Sequence, residues 1–139
     1  MDRHAYIDER LAAIPLFQGL SKKDLRRISS LATQLEESTG KVLTKEGRQG
    51  YEFIIVLEGE VEVRHGGQVV AKLGAGDYFG EIALLDNRPR TATIVATTPV
   101  VIEVIDRGAF LGLVSDVPEI GQVVMATMAQ RLAELEGES

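Results

Sequence analysis

Between Phe79 and Thr93 the chain reads Phe-Gly-Glu-Ile-Ala-Leu-Leu-Asp-Asn-Arg-Pro-Arg-Thr-Ala-Thr, a concentration of residue types suited to holding an anion. Gly80 lets backbone approach a ligand closely, and the following Glu-Ile-Ala-Leu-Leu supports one or two helical turns whose first N–H groups lack partners inside the helix. Such an N-terminus attracts phosphate. Pro89 pushes Arg88 out of helical geometry, so the chain must turn and return, delivering Arg90 beside that same N-terminus. A guanidinium fork and a row of backbone amides together suit one phosphate. Glu81, an acceptor-only carboxylate, repels phosphate and is suited to receive a hydroxyl elsewhere on the ligand. Phosphate plus hydroxyl points to a nucleotide or sugar phosphate. Taken singly, Glu81 reads as a helix N-terminal carboxylate favoured by the dipole, and Arg90 as a solvated surface charge. Glycine, glutamate, proline and arginine at these spacings in one loop favour the binding reading.

The stretch closely resembles the phosphate-binding cassette of cyclic nucleotide-binding domains: Phe-Gly-Glu, two apolar-or-Ala positions, Leu, a short variable loop, then Pro-Arg-Thr/Ser/Ala-Ala-Thr/Ser. The resemblance implies that Glu81 receives a ribose 2′-hydroxyl and that Arg90 pairs with an exocyclic oxygen of the cyclic phosphate. It further implies that Gly80 offers backbone to the ribose, Ala83 its N–H to the phosphate, and Thr91 its N–H and hydroxyl to phosphate or base. Ile82 completes the expected run. Thr91 resembles the cGMP-accepting type, but Thr or Ser also occurs in cAMP binders; the minimal, prokaryotic-style layout makes cAMP the expected ligand, with cGMP accepted more weakly. No further cofactor is expected.

Around this stretch the chain divides into three textures. Residues 1–35 read as an N-terminal helical bundle. A first helix from about Asp2 to Ala13 carries Ile7, Leu11 and Ile14 on one stripe and is limited by Pro15. Ser21 then looks like an N-cap with Asp24 reaching back, Leu20 and Leu25 like a hydrophobic staple, and Leu25, Ile28, Leu31, Ala32 and Leu35 like a continuing apolar stripe. Residues 36–106 turn to short β-branched runs punctuated by glycine: Phe53 to Leu57 suits a buried strand, Val61 to Arg64 alternates, Gly66-Gly67 suits a tight hairpin before Gln68 to Leu73, and Val100 to Ile105 adds a last strand. Such spacing predicts a sandwich or jelly-roll barrel. The resemblance implies a mainly β fold, an eight-stranded jelly roll with flanking helices and with the cassette, residues 79–93, inserted between two strands. Residues 107–139 read as C-terminal helices, a short one beginning near Asp106 and a long one opened by Pro118 at a first helical position.

The long helix carries Ile120, Val124, Met128, Leu132 and Leu135 on one stripe, with Arg131 in the middle of it. An arginine near a helix C-terminus, laying its stem along apolar surface, explains this as well as a functional role does. The resemblance favours the role. In the family this helix folds over the ligand as a lid, which makes Arg131 the candidate cap, its guanidinium stacked on the purine and flanked by Met128 and Leu132. The implied mechanism is a switch in which the cassette moves inward with Leu84, Phe110 repacks, and the lid closes.

Composition sets the remaining bounds. A chain of 139 residues with 45% hydrophobic and 26% charged residues is expected to be a single globular domain with a core of useful size. A net charge of −6 disfavours nucleic acid and anionic membranes as partners, so an anionic ligand needs a local site; the basic face of Lys22, Lys23, Arg26 and Arg27 reads as a solvated helix face. With no cysteine there is no thiolate chemistry. No segment reaches the ~18 apolar residues of a membrane span and no signal core opens the chain, so a cytoplasmic protein is expected. His4 and His65 read as surface histidines, too few for a metal-dependent jelly roll, and no metal site is expected. The glycines from Gly74 to Gly80 do not fit a dinucleotide fingerprint. Nothing resembles a nucleophile with its base, so no catalysis is expected. A transcription regulator needs a helix-turn-helix domain after the long helix. The alternative to a free-standing sensor is the ligand-sensing fragment of a larger regulated enzyme, channel or transcription regulator, with the effector unidentified.

Overall fold

The computed structural model describes residues 9–50, 52–81 and 89–137. Most of the expected first helix, with His4 and Ile7, and the expected site residues Ile82, Ala83 and Leu84 lie outside them. Helical residues 9–12 are followed by a 3-10 turn, Pro15–Phe17, and by helix α1, Lys22–Leu31. Ser21 caps α1, its Oγ accepting the Asp24 N–H at 3.1 Å.

Eight strands follow: β1 (Thr33–Glu37), β2 (Val42–Thr44), β3 (Glu52–Glu58), β4 (Val61–His65), β5 (Gln68–Leu73), β6 (Tyr78–Phe79), β7 (Thr93–Ala96) and β8 (Val100–Asp106). They form two four-stranded antiparallel sheets in the orders β1-β8-β3-β6 and β2-β7-β4-β5. The expected jelly roll is present, its hairpin between β4 and β5 turning on Gly66 and Gly67, both at positive φ. Leu35 departs from the helical stripe expected of it. It lies on β1 opposite Ile102 and is 41% exposed. Its spacing from Leu31 imitates a helix, but five residues of ladder with β8, far along the chain, decide the conformation.

The continuous apolar run of β3 has a simple cause. Phe53, Ile55 and Leu57 point to a cluster shared with the helices, while Ile54 and Val56 point to a second cluster between the sheets. A strand buried on both faces needs no polar alternation. The same two clusters sort the residues ahead of the cassette: Tyr78 joins the helix side and Phe79 the interior of the roll. Two helices complete the fold, α2 (Arg107–Asp116) and α3 (Pro118–Gly137). Asp106 caps α2 through the Ala109 N–H at 2.9 Å, and Pro118 opens α3. The pair turns through 115°, bringing α3 back across the roll with Ile120 and Val124 buried. No single helix among the described residues is long and apolar enough to cross a membrane.

Candidate functional site

The site begins where β6 stops. β6 pairs Phe79 with Ile54 and Tyr78 with Ile55, and Gly80 then takes a φ of +103°. A Cβ there would fall 2.6 Å from both Arg90 Nη1 and the Glu52 carbonyl, so this position excludes side chains by conformation and by space. Glu81 follows as the first helical residue and is 1% exposed.

The segment that carries Arg90 is fastened to the roll by backbone. Arg90 N–H donates to the Arg48 carbonyl and its carbonyl accepts from Gly47 N–H, both at 2.9 Å. The Arg90 side chain, 6% exposed, runs under Gly50, where a Cβ would stand 1.9 Å from its Nε. Its Nη2 donates to the Glu52 carbonyl at 2.6 Å and lies 3.5 Å from the Glu52 carboxylate; its Nη1 reaches the Gly80 carbonyl at 3.4 Å. Burial lowers the guanidinium's pKa, with Glu52 and Glu81 opposing that shift. Thr91 and Ala92 are held from behind, the first by His65, whose Nδ1 lies 2.9 Å from the Thr91 carbonyl, and the second by Thr44 Oγ1 donating at 3.3 Å.

Glu81 and Arg90 line one cavity of about 430 Å³, together with Gly80, Thr91 and Arg131. Its apolar wall comes from Val63, Val70, Ala71, Leu73 and Ile94. A bulge helps to build this wall. Val63 pairs with Ala71 but Arg64 with Val69, which leaves Val70 as an extra residue and places it beside Ala71 on the lining. Mononucleotides fall within the range of ligands that a cavity of this size and mixed character encloses.

The two buried charges are unequally satisfied. Glu81 Oε1 is ion-paired to Arg131 Nη1, while among the described residues its Oε2 has no hydrogen-bond partner. Burial raises the Glu81 pKa, and Arg131 pulls in the opposite direction. Arg90 Nε is likewise without a partner among the described residues. Among the described residues the site thus holds a buried carboxylate with one unpartnered oxygen beside a buried guanidinium, a pairing suited to a ligand that brings a hydroxyl and an anion.

The sequence-expected residues are distributed as follows. Gly80, Glu81, Arg90, Thr91 and Arg131 meet at the cavity. Arg131 lines it from α3, with its guanidinium directed to Glu81 and, through Nη2, to the Tyr78 carbonyl at 2.8 Å, rather than standing free to stack on a ligand. Phe110 is fully buried, stacked on Phe53 with ring centroids 4.4 Å apart. His65, read from sequence as a surface histidine, is half-buried and belongs to the lining. Sequence reasoning also missed Gly50, Glu52 and the apolar wall, whose only early signal was the alternation of β4.

A family model described as cyclic nucleotide-binding domain matches residues 36–116, more than half of the chain. The cAMP-dependent protein kinase regulatory subunit of Mycosarcoma maydis is 44% identical over 98 residues, which cover 68% of this chain and 19% of that protein. The solved structure of PKAR CBD2 with Sp-2Cl-cAMPS bound superposes with a TM-score of 0.81 at 25% identity, covering 97% of this chain and 95% of that one. The regulatory subunit of a cAMP-independent protein kinase A from Trypanosoma brucei superposes with a TM-score of 0.86 at 27% identity, covering 98% of this chain and 49% of that one. The chain spans between about a fifth and a third of the length of the curated relatives it matches.

Proposed function

The chain belongs to the cyclic nucleotide-binding domain family, and on that premise we propose that it is a sensor for a cyclic purine nucleotide, cAMP ahead of cGMP. The observation that carries this reading is the pair of buried charges in one cavity. Glu81 offers a carboxylate oxygen that has no hydrogen-bond partner among the described residues, and Arg90 a guanidinium already buried away from water. Arg90 meets the cyclic phosphate, aided by Thr91 and by the amide of Ala83. Glu81 Oε2 accepts the ribose 2′-hydroxyl, and Gly80 lets the sugar come close to the backbone. Val63, Val70, Ala71 and Leu73 present an apolar face to the base.

A ligand shifts a conformational equilibrium only by binding one state better. The closed state here has α3 packed over the site with Arg131 joined to Glu81. A nucleotide that bonds Glu81 from its other oxygen strengthens the group on which the lid rests. Inward movement of Leu84 and repacking of Phe110 carry that change to α2. The kinase regulatory subunits among the relatives support a reading in which this domain controls a larger regulated protein, a kinase foremost.

Thermal unfolding with cAMP, 2′-deoxy-cAMP and 5′-AMP tests the reading. A saturable rise in Tm is expected with cAMP, a clearly smaller one with the deoxy analogue, and none with 5′-AMP. Equal shifts with all three would contradict it.

A further inference from the structure

Tyr78 is one residue more polar than its place requires. It sits on β6 immediately ahead of Phe79-Gly80-Glu81, inside the helix-side cluster, where a phenylalanine would fill the same volume. Its ring packs against Phe53 with centroids 5.3 Å apart, and Phe53 in turn stacks on Phe110 of α2. On its other side the Arg131 guanidinium lies 5.4 Å from the ring centroid.

Two polar groups of Tyr78, its hydroxyl and its carbonyl, reach the same helix. Its hydroxyl donates to Thr127 Oγ1 at 2.5 Å, and its carbonyl accepts from Arg131 Nη2 at 2.8 Å. Thr127 and Arg131 are four residues apart and so share one face of α3. The Thr127 hydroxyl donates onward to the Val123 carbonyl at 3.1 Å, which leaves its oxygen free to accept from the tyrosine. Burial raises the phenol's pKa, so it stays protonated and able to donate. The backbone that carries Gly80 and Glu81 into the cavity is therefore tied to the lid helix one turn before the Arg131–Glu81 ion pair.

We propose that Tyr78 is a positioning residue that seats the lid helix α3 over the ligand cavity through its bond to Thr127, and thereby sets how long a bound nucleotide is retained. This rests on the nucleotide-sensor reading. Its specific content is that the hydroxyl acts after binding: the encounter of nucleotide with Arg90 and Glu81 does not involve Tyr78, whereas escape requires α3 to lift.

Tyr78→Phe removes the hydroxyl alone, and Thr127→Val removes its partner with little change in shape. Stopped-flow measurement with a fluorescent cAMP analogue should show dissociation faster by about three- to tenfold in either variant, the range expected from one net hydrogen bond. Association should stay within about twofold of wild type. The double variant should dissociate no faster than either single one, because both break the same bond. In the nucleotide-free protein, amide hydrogen exchange along α3 should accelerate to the same extent in both variants. Unchanged dissociation with unchanged exchange would overturn the proposal, as would multiplicative effects in the double variant. If the wild-type chain binds no cyclic nucleotide, the sensor reading fails by itself; the exchange measurement then decides whether Tyr78 seats α3, faster exchange supporting it and unchanged exchange refuting it.

Discussion

Replacing Arg90 by leucine separates a ligand cation from a structural one. In the folded protein this side chain is 6% exposed and already held by the carbonyls of Glu52 and Gly80, so its desolvation is complete before any ligand arrives. A phosphate therefore meets a pre-set, water-poor guanidinium, and the interaction appears in the binding constant with little reorganisation to offset it. Removing one partner of a buried, hydrogen-bonded charge pair costs roughly 2–5 kcal/mol, which corresponds to about thirty-fold to several-thousand-fold in Kd. The fold should lose much less. Leucine forfeits the two carbonyl bonds but also abolishes the burial of a charge, and it leaves the Arg90 backbone pairing with Gly47 and Arg48 intact. Arg90→Lys should fall between, since it keeps the charge without the fork. Competition against a fluorescent cyclic nucleotide measures the affinities, and thermal unfolding of the nucleotide-free variants controls for folding. An Arg90→Leu protein that binds within about threefold of wild type would refute the assignment of phosphate to this residue.

Four further changes probe the rest of the site. Arg131→Ala takes the ion-pair partner from Glu81, and should lower nucleotide-free stability by about 2 kcal/mol and weaken binding about tenfold; wild-type affinity for both purines, measured by the same competition, would remove Arg131 from the site. Burial raises the Glu81 pKa, so the stability it contributes is full below the ordinary carboxylate range and is lost as pH rises through the raised value. Glu81→Gln imitates the neutral acid, and its Tm relative to wild type should therefore climb as pH rises above the ordinary carboxylate range, while its affinity for cAMP falls; a Tm difference that shrinks with rising pH would contradict this. Gly50→Ala should displace the Arg90 guanidinium and reduce affinity without unfolding the roll, as read by titration beside circular dichroism. Thr91→Ala should shift the ratio of cAMP to cGMP affinity toward cAMP, and an unchanged ratio would show that this residue takes no part in the choice.

The parts of the site that lie close together in sequence could be read from it. Gly80, Glu81, Pro89 and Arg90 sit within one loop, and their types and spacing already describe an anion site with a hydroxyl acceptor. The roll was legible for the same local reason, as short β-branched runs divided by glycines, with Gly66 and Gly67 making the hairpin they were expected to make. Arg131 was visible as a charge in an apolar stripe. Its partner Glu81, fifty residues away, was not. Long-range pairing hid the rest: Glu52, which opens β3, and Gly50, just ahead of it, hold and admit Arg90 from some forty residues away, His65 reaches Thr91 across the sheet, and Tyr78 meets Thr127 through the packing of α3. Leu35 shows the limit from the other side. Its periodicity was helical, and a ladder partner on β8 overruled it.

The central claim is tested most directly by calorimetric titration of nucleotide-stripped protein with cAMP and cGMP, with 5′-AMP as control. Saturable one-site heat with a cyclic nucleotide, tighter for cAMP than for cGMP and undetectable for 5′-AMP, is the predicted result. Neither cyclic nucleotide giving heat, or 5′-AMP binding as well as cAMP, would contradict the account.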